Sequence, residues 1–283
     1  MDYQQLLLAL LPDLLVVVAL FAALGVDYSR LRGSRLAKRY EVACQISAAG
    51  LIAGLAVLVL QIAGTMPVMD STADGQLVLN TGTLTLKALL YAMGLGVLPL
   101  AKRDHITPQV SEYFALLLLA TLGMGFVVTS RNLLGAFVAL ELVSLSLYAM
   151  TVLNQARRAS AEAALKYLTF GAVASGFLLF GLSYLYGATG QLDLTQMTGL
   201  TDEPVLVLAY LLIFVGLGFK LALAPFHLWA PDVYQNAPTP VAGWIGSGSK
   251  IAAAALLIAL FQPVVDPPNP KPKEALIPPP AAL

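Results

Sequence analysis

Four ionisable side chains stand inside long apolar stretches of this chain: Glu141, Lys166, Lys220 and Lys250. A charge at the centre of a bilayer costs roughly 2.5–3.5 kcal/mol on insertion scales, so a functional role is the default reading of such residues. Glu141 lies about nine residues into an apolar run over 133–152, and Lys250 about ten into one over 240–262. At ~1.5 Å per residue, each sits about halfway across a ~30 Å hydrocarbon core. Lys220 falls just before a proline-interrupted stretch, and Lys166 follows Glu162 at i+4, a spacing that lets the two pair. One acid and three amines at similar depth form a chain of titratable sites. Burial disfavours the charged form of each and a nearby opposite charge restores it, so moving one member changes the protonation of the next. Lysine suits this chemistry because its pKa responds to burial and its stem can change partner. The rival reading is a set of static ion pairs that hold helices together. Three lysines against one central carboxylate leave charge that such pairs do not balance.

Other polar residues are secondary. Ser144 and Tyr148 share a helical face with Glu141, at i+3 and i+7, and can hold water beside it. His227 follows the proline-interrupted stretch and either relays protons or caps freed backbone. Asp13 reads as an interfacial group or a helix contact, Lys87 as a lysine snorkelling to the head-groups, and Glu112 as an acid of a first helical turn. Gly171, Gly176 and Gly181 read as helix-packing positions. Phosphate-binding glycine loops, metal-ligand clusters and nucleophile–base pairs are missing from the sequence. Its single cysteine, Cys44, supports no disulfide framework and no iron–sulfur ligation, and two histidines are too few for a b-type haem pair, so redox cofactors belong to other chains. Sixteen basic and sixteen acidic residues balance, which argues against nucleic acid as a partner.

The elements that must position these groups follow from composition. Of 283 residues, 58% are apolar and 11% charged, against about 25% charged in soluble domains; mean hydropathy is +0.79. The solvent for most of the chain is lipid. Apolar segments fall at roughly 5–26, 42–63, 83–101, 111–129, 133–152, 161–186, 204–233 and 240–262, which predicts eight membrane helices and an all-α fold. The seventh is long and contains Pro225 and Pro231. Interior prolines remove a backbone bond and clash with the preceding turn, so two halves, about 204–222 and 226–233, are expected, with a simple kink as the rival reading. Backbone broken at membrane depth marks transport sites more often than not. Loops 27–41, 102–110 and 153–160 carry the basic residues: Arg30, Arg32, Arg35, Lys38 and Arg39; Lys102 and Arg103; Arg157 and Arg158. The second and sixth loops carry none, and the fourth only Arg131. This puts the odd-numbered loops on the cytoplasmic side and both ends outside. The N-terminus lacks a basic n-region and a small-residue cleavage signal, so it reads as a first span. After Phe261, eight of the last twenty-one residues are proline, which reads as a disordered or polyproline tail.

The stretch FKLALAPFHLWAPDVYQNAPTPVAGWIGSGSKIA at 219–252 resembles the antiporter-like membrane subunits of respiratory complex I and their Mrp-type antiporter relatives. With the words EYFALLLLATLGMGFVVTSRNLLGAFVALELVSLSLYAM at 112–150 and ALKYLTFGAVASGFLLFGLSYLYGATG at 164–190, the chain is most similar to the subunit N family of NADH-quinone oxidoreductase, over about residues 5–262. The resemblance implies that Glu141, Lys166 and Lys220 form the coupled group of a proton half-channel and that Lys250 passes protons along a central hydrophilic axis. It implies two inverted five-helix repeats, of which spans four to eight are the first. Residues 1–110 are then an N-terminal three-helix segment, 111–262 the repeat and 263–283 the tail. Such families carry fourteen spans, so the second repeat, with its own broken helix and exit lysine, is expected from a partner chain or from a longer or split subunit. The implied activity is that of a proton-translocating subunit, in a bacterial inner membrane among other membrane subunits of complex I. Those subunits would handle NADH, flavin, iron–sulfur clusters and quinone. The alternatives are a cation/proton antiporter module without redox coupling, and a structural or assembly piece without transport.

Overall fold

The computed structural model describes residues 3–66, 71–72, 76–153, 158–194 and 203–265. The proline-rich tail beyond 265 and Arg157 lie outside the described residues. Helix α1 (Tyr3–Val26) runs on through a π-helical turn, Asp27–Leu31, and is followed by α2 (Leu36–Ile62), α3 (Thr81–Asp104), α4 (Val110–Thr129), α5 (Leu133–Val152) and α6 (Arg158–Thr189). Next come α7 (Pro204–Leu221), two short helices, α8 (Ala230–Asn236) and α9 (Thr239–Gly246), and α10 (Gly248–Val265). A two-residue hairpin, β1 (Ser71–Thr72) and β2 (Leu77–Val78), pairs antiparallel between α2 and α3. Among the described residues, eight segments are long and apolar enough to cross a membrane, the last being α9 and α10 together, Thr239–Phe261. The protein is an all-α membrane protein, as its hydropathy predicts.

Several helices outrun their apolar runs. α2 begins at Leu36, so Lys38 and Arg39 are helical, and α3 continues through Lys102 and Arg103. Lysine and arginine are good helix formers, and an end reaching the head-group layer can carry them. The predicted break in the seventh span is present and longer than expected. α7 stops at Leu221, Ala222 takes left-handed backbone (φ 55°), and helix resumes only at Ala230. Pro225 lies within the break, whereas Pro231 sits in the first turn of α8 and starts a helix instead of breaking one. No backbone N–H is required there, and its fixed φ suits a helix start. The eighth span, expected to be continuous, is interrupted at Ser247 (φ −115°, ψ −79°).

α4 forms the hub. Fifteen of its twenty residues are buried, because it is apolar or small on every face, the pattern of an enclosed helix. α6 and α7 approach through glycine. A Cβ at Gly181 would stand 2.8 Å from the Ala209 carbonyl oxygen, and one at Gly216 would stand 2.6 Å from Leu178 Cβ. Gly176, expected in the same role, has nothing within 4 Å of a built Cβ and is not such a contact. Gly216→Leu is therefore expected to lower thermal stability in detergent by about 1–3 kcal/mol, the range for overpacking, while Gly176→Ala leaves the melting temperature unchanged or raised.

Candidate functional site

The start of α5 is fixed before its polar face is presented. Asn132 caps the helix by accepting a hydrogen bond from Leu134 N at 2.8 Å. Arg131 Nε donates to both carboxylate oxygens of Asp193 at 2.9 Å, and that acid raises the guanidinium pKa above its ordinary value. Leu133 N donates to Leu192 O at 2.9 Å. These bonds tie the start of α5 to the residues after α6 and so set how α5 faces α6 and α7.

On that face, Glu141 Oε1 accepts a 2.5 Å hydrogen bond from Ser175 of α6. One turn further, Ser144 Oγ donates to Leu140 O at 2.5 Å and accepts from Lys220 Nζ. Lys220 also donates to Tyr148 OH at 3.3 Å and lies 5.5 Å from the Tyr148 ring centroid. Ser144 and Tyr148, expected to hold water beside Glu141, here hold the amine from α7. Gly171 leaves the space on α6 that the Tyr148 hydroxyl occupies. Glu141 is in no ion pair among the described residues: its carboxylate meets the Ser175 hydroxyl, while Lys220 meets the separate hydroxyls of Ser144 and Tyr148.

Lys166 is placed differently from its sequence neighbours in the argument. Its amine pairs with Glu162 at 2.9 Å, as the i, i+4 spacing predicts, and with Asp232 of α8 at 2.9 Å; the lysine side chain is 41% exposed. Glu141 meets α6 at Ser175, nine residues beyond Lys166, which is about 13 Å along a helix. The two are therefore not a contact pair here. Sequence reasoning does not select Asp232, which falls in the expected second helical half, 226–233; its acidity becomes informative only once α8 packs on α6 and brings it to Lys166. Lys250 follows the interruption at Ser247 by three residues and lies 5.5 Å from the Tyr234 ring centroid. His227 is exposed in the break, and its side chain makes no hydrogen bond among the described residues.

A row of aromatic rings runs between Lys220 and Lys250; of its members sequence reasoning selected Tyr148 but not Tyr167, Trp229 or Tyr234. Tyr148 meets Tyr167 edge-on at 4.5 Å, Tyr167 stacks on Trp229 at 4.5 Å and 9°, and Trp229 lies 6.1 Å from Tyr234. Lys220 stands over one end of this row and Lys250 over the other. Trp229 also donates from Nε1 to Phe219 O at 3.1 Å, satisfying a carbonyl of the interrupted α7 end. The clue available in sequence is the density of aromatics around the prolines.

A second buried charge centre lies in the first three helices. Lys87 Nζ meets Asp13 Oδ2 at 2.6 Å, and Tyr91 OH donates to Asp13 Oδ1 at 2.7 Å. Lys87 and Asp13 are only 2% and 3% exposed. Lys87 is thus not a snorkelling residue: a carboxylate inside the bundle binds it more strongly than head-group water would, and Gly125 of α4 leaves room for its stem. Asp13 is a helix contact. Glu112 stands in the first turn of α4, as expected.

The family model described as NADH:quinone oxidoreductase/Mrp antiporter, transmembrane, matches residues 130–274, past residue 262, the expected end of the resemblance. Subunit N 2 of NADH-quinone oxidoreductase from Acidobacterium capsulatum is 44% identical over 263 residues, 89% of this chain and 52% of that protein. Subunit N from Nitrosomonas europaea is 41% identical over 198 residues, 67% of this chain and 41% of that one. A chain of respiratory complex I from Thermus thermophilus superimposes with TM-score 0.73 at 33% identity, covering 88% of this chain and 52% of that chain. The chain spans about half the length of the curated relatives it matches.

For the Asp13–Lys87 pair, breaking it by Asp13→Asn or by Lys87→Met alone is expected to cost about 3–5 kcal/mol, since each leaves an uncompensated buried charge. The double variant should lose clearly less than the two singles added together, read as midpoints of denaturant unfolding in detergent.

Proposed function

Because the chain belongs to the NADH:quinone oxidoreductase/Mrp antiporter transmembrane family, we propose that it is the first antiporter-like half of a proton-translocating subunit N, serving an NADH-quinone oxidoreductase. In this reading residues 1–110 are an accessory three-helix unit and 111–262 the working five-helix repeat. The polypeptide binds neither NADH nor quinone, and flavin and iron–sulfur clusters belong to other subunits of the complex. It sits in a bacterial inner membrane with its N-terminus on the periplasmic side, since the basic loops mark the cytoplasmic face.

The observation that carries the reading is the placement of Lys220. Its amine ends an interrupted helix and rests on two hydroxyls of α5, the helix that holds Glu141. Hydroxyl contacts exchange without the cost of parting a buried ion pair, so a small shift of α5 against α7 moves the amine toward or away from the carboxylate. A carboxylate brought closer favours the protonated amine, and one drawn away favours proton release. Ser175 holds Glu141 in the withdrawn position, and Tyr148 and Ser144 each offer an oxygen to the released proton's water chain. Lys166, anchored by Glu162 and Asp232, then acts as the fixed charge against which that shift is made. Lys250, beside the interruption at Ser247, is the onward acceptor.

In the assembled complex, Lys220→Ala is expected to reduce protons pumped per NADH oxidised by this subunit's share while NADH oxidation persists. Lys220→Arg should do the same, because a guanidinium does not release its proton in this pH range. Unchanged pumping stoichiometry in both, measured with a pH dye in vesicles, would sink the proposal.

A further inference from the structure

The first and third inter-helix connections meet on one face, where the start of α2 and the end of α3 border an open pocket of about 670 Å³. Arg35, Lys38, Lys102, Arg103, His105 and a single acid, Glu41, line it. Lys102 reaches Glu41 at 3.3 Å, in a pair whose side chains are 45% and 52% exposed. Arg35, Lys38 and Arg103 have no hydrogen bond or ion pair from their side chains among the described residues. Four cations thus face one carboxylate. The neighbouring Arg39 is treated in the opposite way: Asp27 binds it at 2.7 and 2.5 Å, and it donates to Pro108 O at 3.0 Å.

The negative end of the α3 dipole accounts for Lys102 and Arg103, which lie in its last turn. It does not account for Arg35 and Lys38, which crowd the N-terminal end of α2, where the dipole disfavours cations. An anion beside Arg35 and Lys38 relieves that conflict and itself sits favourably at the N-terminal end of α2. Apolar surface continues from the pocket: Ala37 and Pro99 are part of its wall, and Leu36 and Leu100 beside them are 38% and 51% exposed. An anionic group joined to an apolar body is complementary to these two surfaces. We propose that this pocket binds the head-group of an anionic phospholipid, with its phosphate among Arg35, Lys38 and Arg103 and its acyl chains along α2 and α3.

The test is native mass spectrometry of the detergent-solubilised chain, titrated separately with phosphatidylglycerol, phosphatidylcholine and inorganic phosphate. Phosphatidylglycerol is expected to bind about fivefold or more tightly than phosphatidylcholine and to resist displacement by an equal concentration of inorganic phosphate. K38Q/R103Q should bring the ratio of the two lipids close to one, while leaving Arg30, Arg32, Arg35 and Lys102 to hold the topology. Taking that ratio within each variant separates lost selectivity from lost fold, and K38R/R103K should restore it. R30Q/R32Q removes two cations of the same connection that do not line the pocket and should change nothing. Equal binding of the two lipids by the unaltered chain, or an equal loss in R30Q/R32Q, overturns the site. Displacement by inorganic phosphate at equal concentration overturns its assignment to lipid.

Discussion

Backbone at membrane depth has no water to satisfy it, and the arrangement around Lys220 answers that constraint. Where α7 ends at Leu221, the freed carbonyls need donors. Ala222 and Leu223 fold back on Phe219 O and Gly218 O at 3.0 and 2.9 Å, and Trp229 adds its indole N–H to Phe219 O. Meeting this requirement brings Trp229 against Tyr167, and so Tyr167 against Tyr148. It also leaves Lys220 at the open end of a helix instead of within one. Lipid tolerates an interrupted helix only when protein lines the interruption, so the ring row and the amine's position have one cause.

Two kinds of charge are handled within the bundle. Asp13, Lys87 and Tyr91 form a closed set in which the carboxylate oxygens and the amine are each engaged. A buried pair so satisfied is costly to break and has no reason to move. Glu141 and Lys220 are each held instead by hydroxyls, on a face shared by three helices. The first arrangement suits an anchor for α1 and α3 against α4, and the second suits a group that changes partner. This difference in partner type, not burial alone, separates a structural ion pair from a candidate transfer site.

Small residues decide how closely the helices that carry these groups approach. Gly181 and Gly216 let α6 and α7 meet at backbone distance, and Gly171 admits the Tyr148 hydroxyl. Without those gaps Ser175 would not reach Glu141, nor Tyr148 the amine of Lys220. Association in lipid depends on such packing because apolar contact with a neighbouring helix gains little over contact with lipid.

Hydropathy by itself determined the all-α class, the eight spans and most of their limits, since crossing hydrocarbon needs about twenty apolar residues whatever the helix packs against. It also marked Glu141, Lys166, Lys220 and Lys250 as the charges to explain, and helical periodicity placed Ser144 and Tyr148 beside Glu141. Only the tertiary structure decided which charges meet. Lys87 pairs with Asp13 from 74 residues away, Lys166 with Asp232 from 66, and Glu141 with Ser175 from 34. Local spacing carries no information about such partners, because they depend on which helix faces are turned together. The same holds for Pro225 and Pro231. Both are helix breakers by residue type, yet one lies in the break and the other opens the next helix, because the carbonyl four residues back and the need for a backbone N–H differ at the two positions.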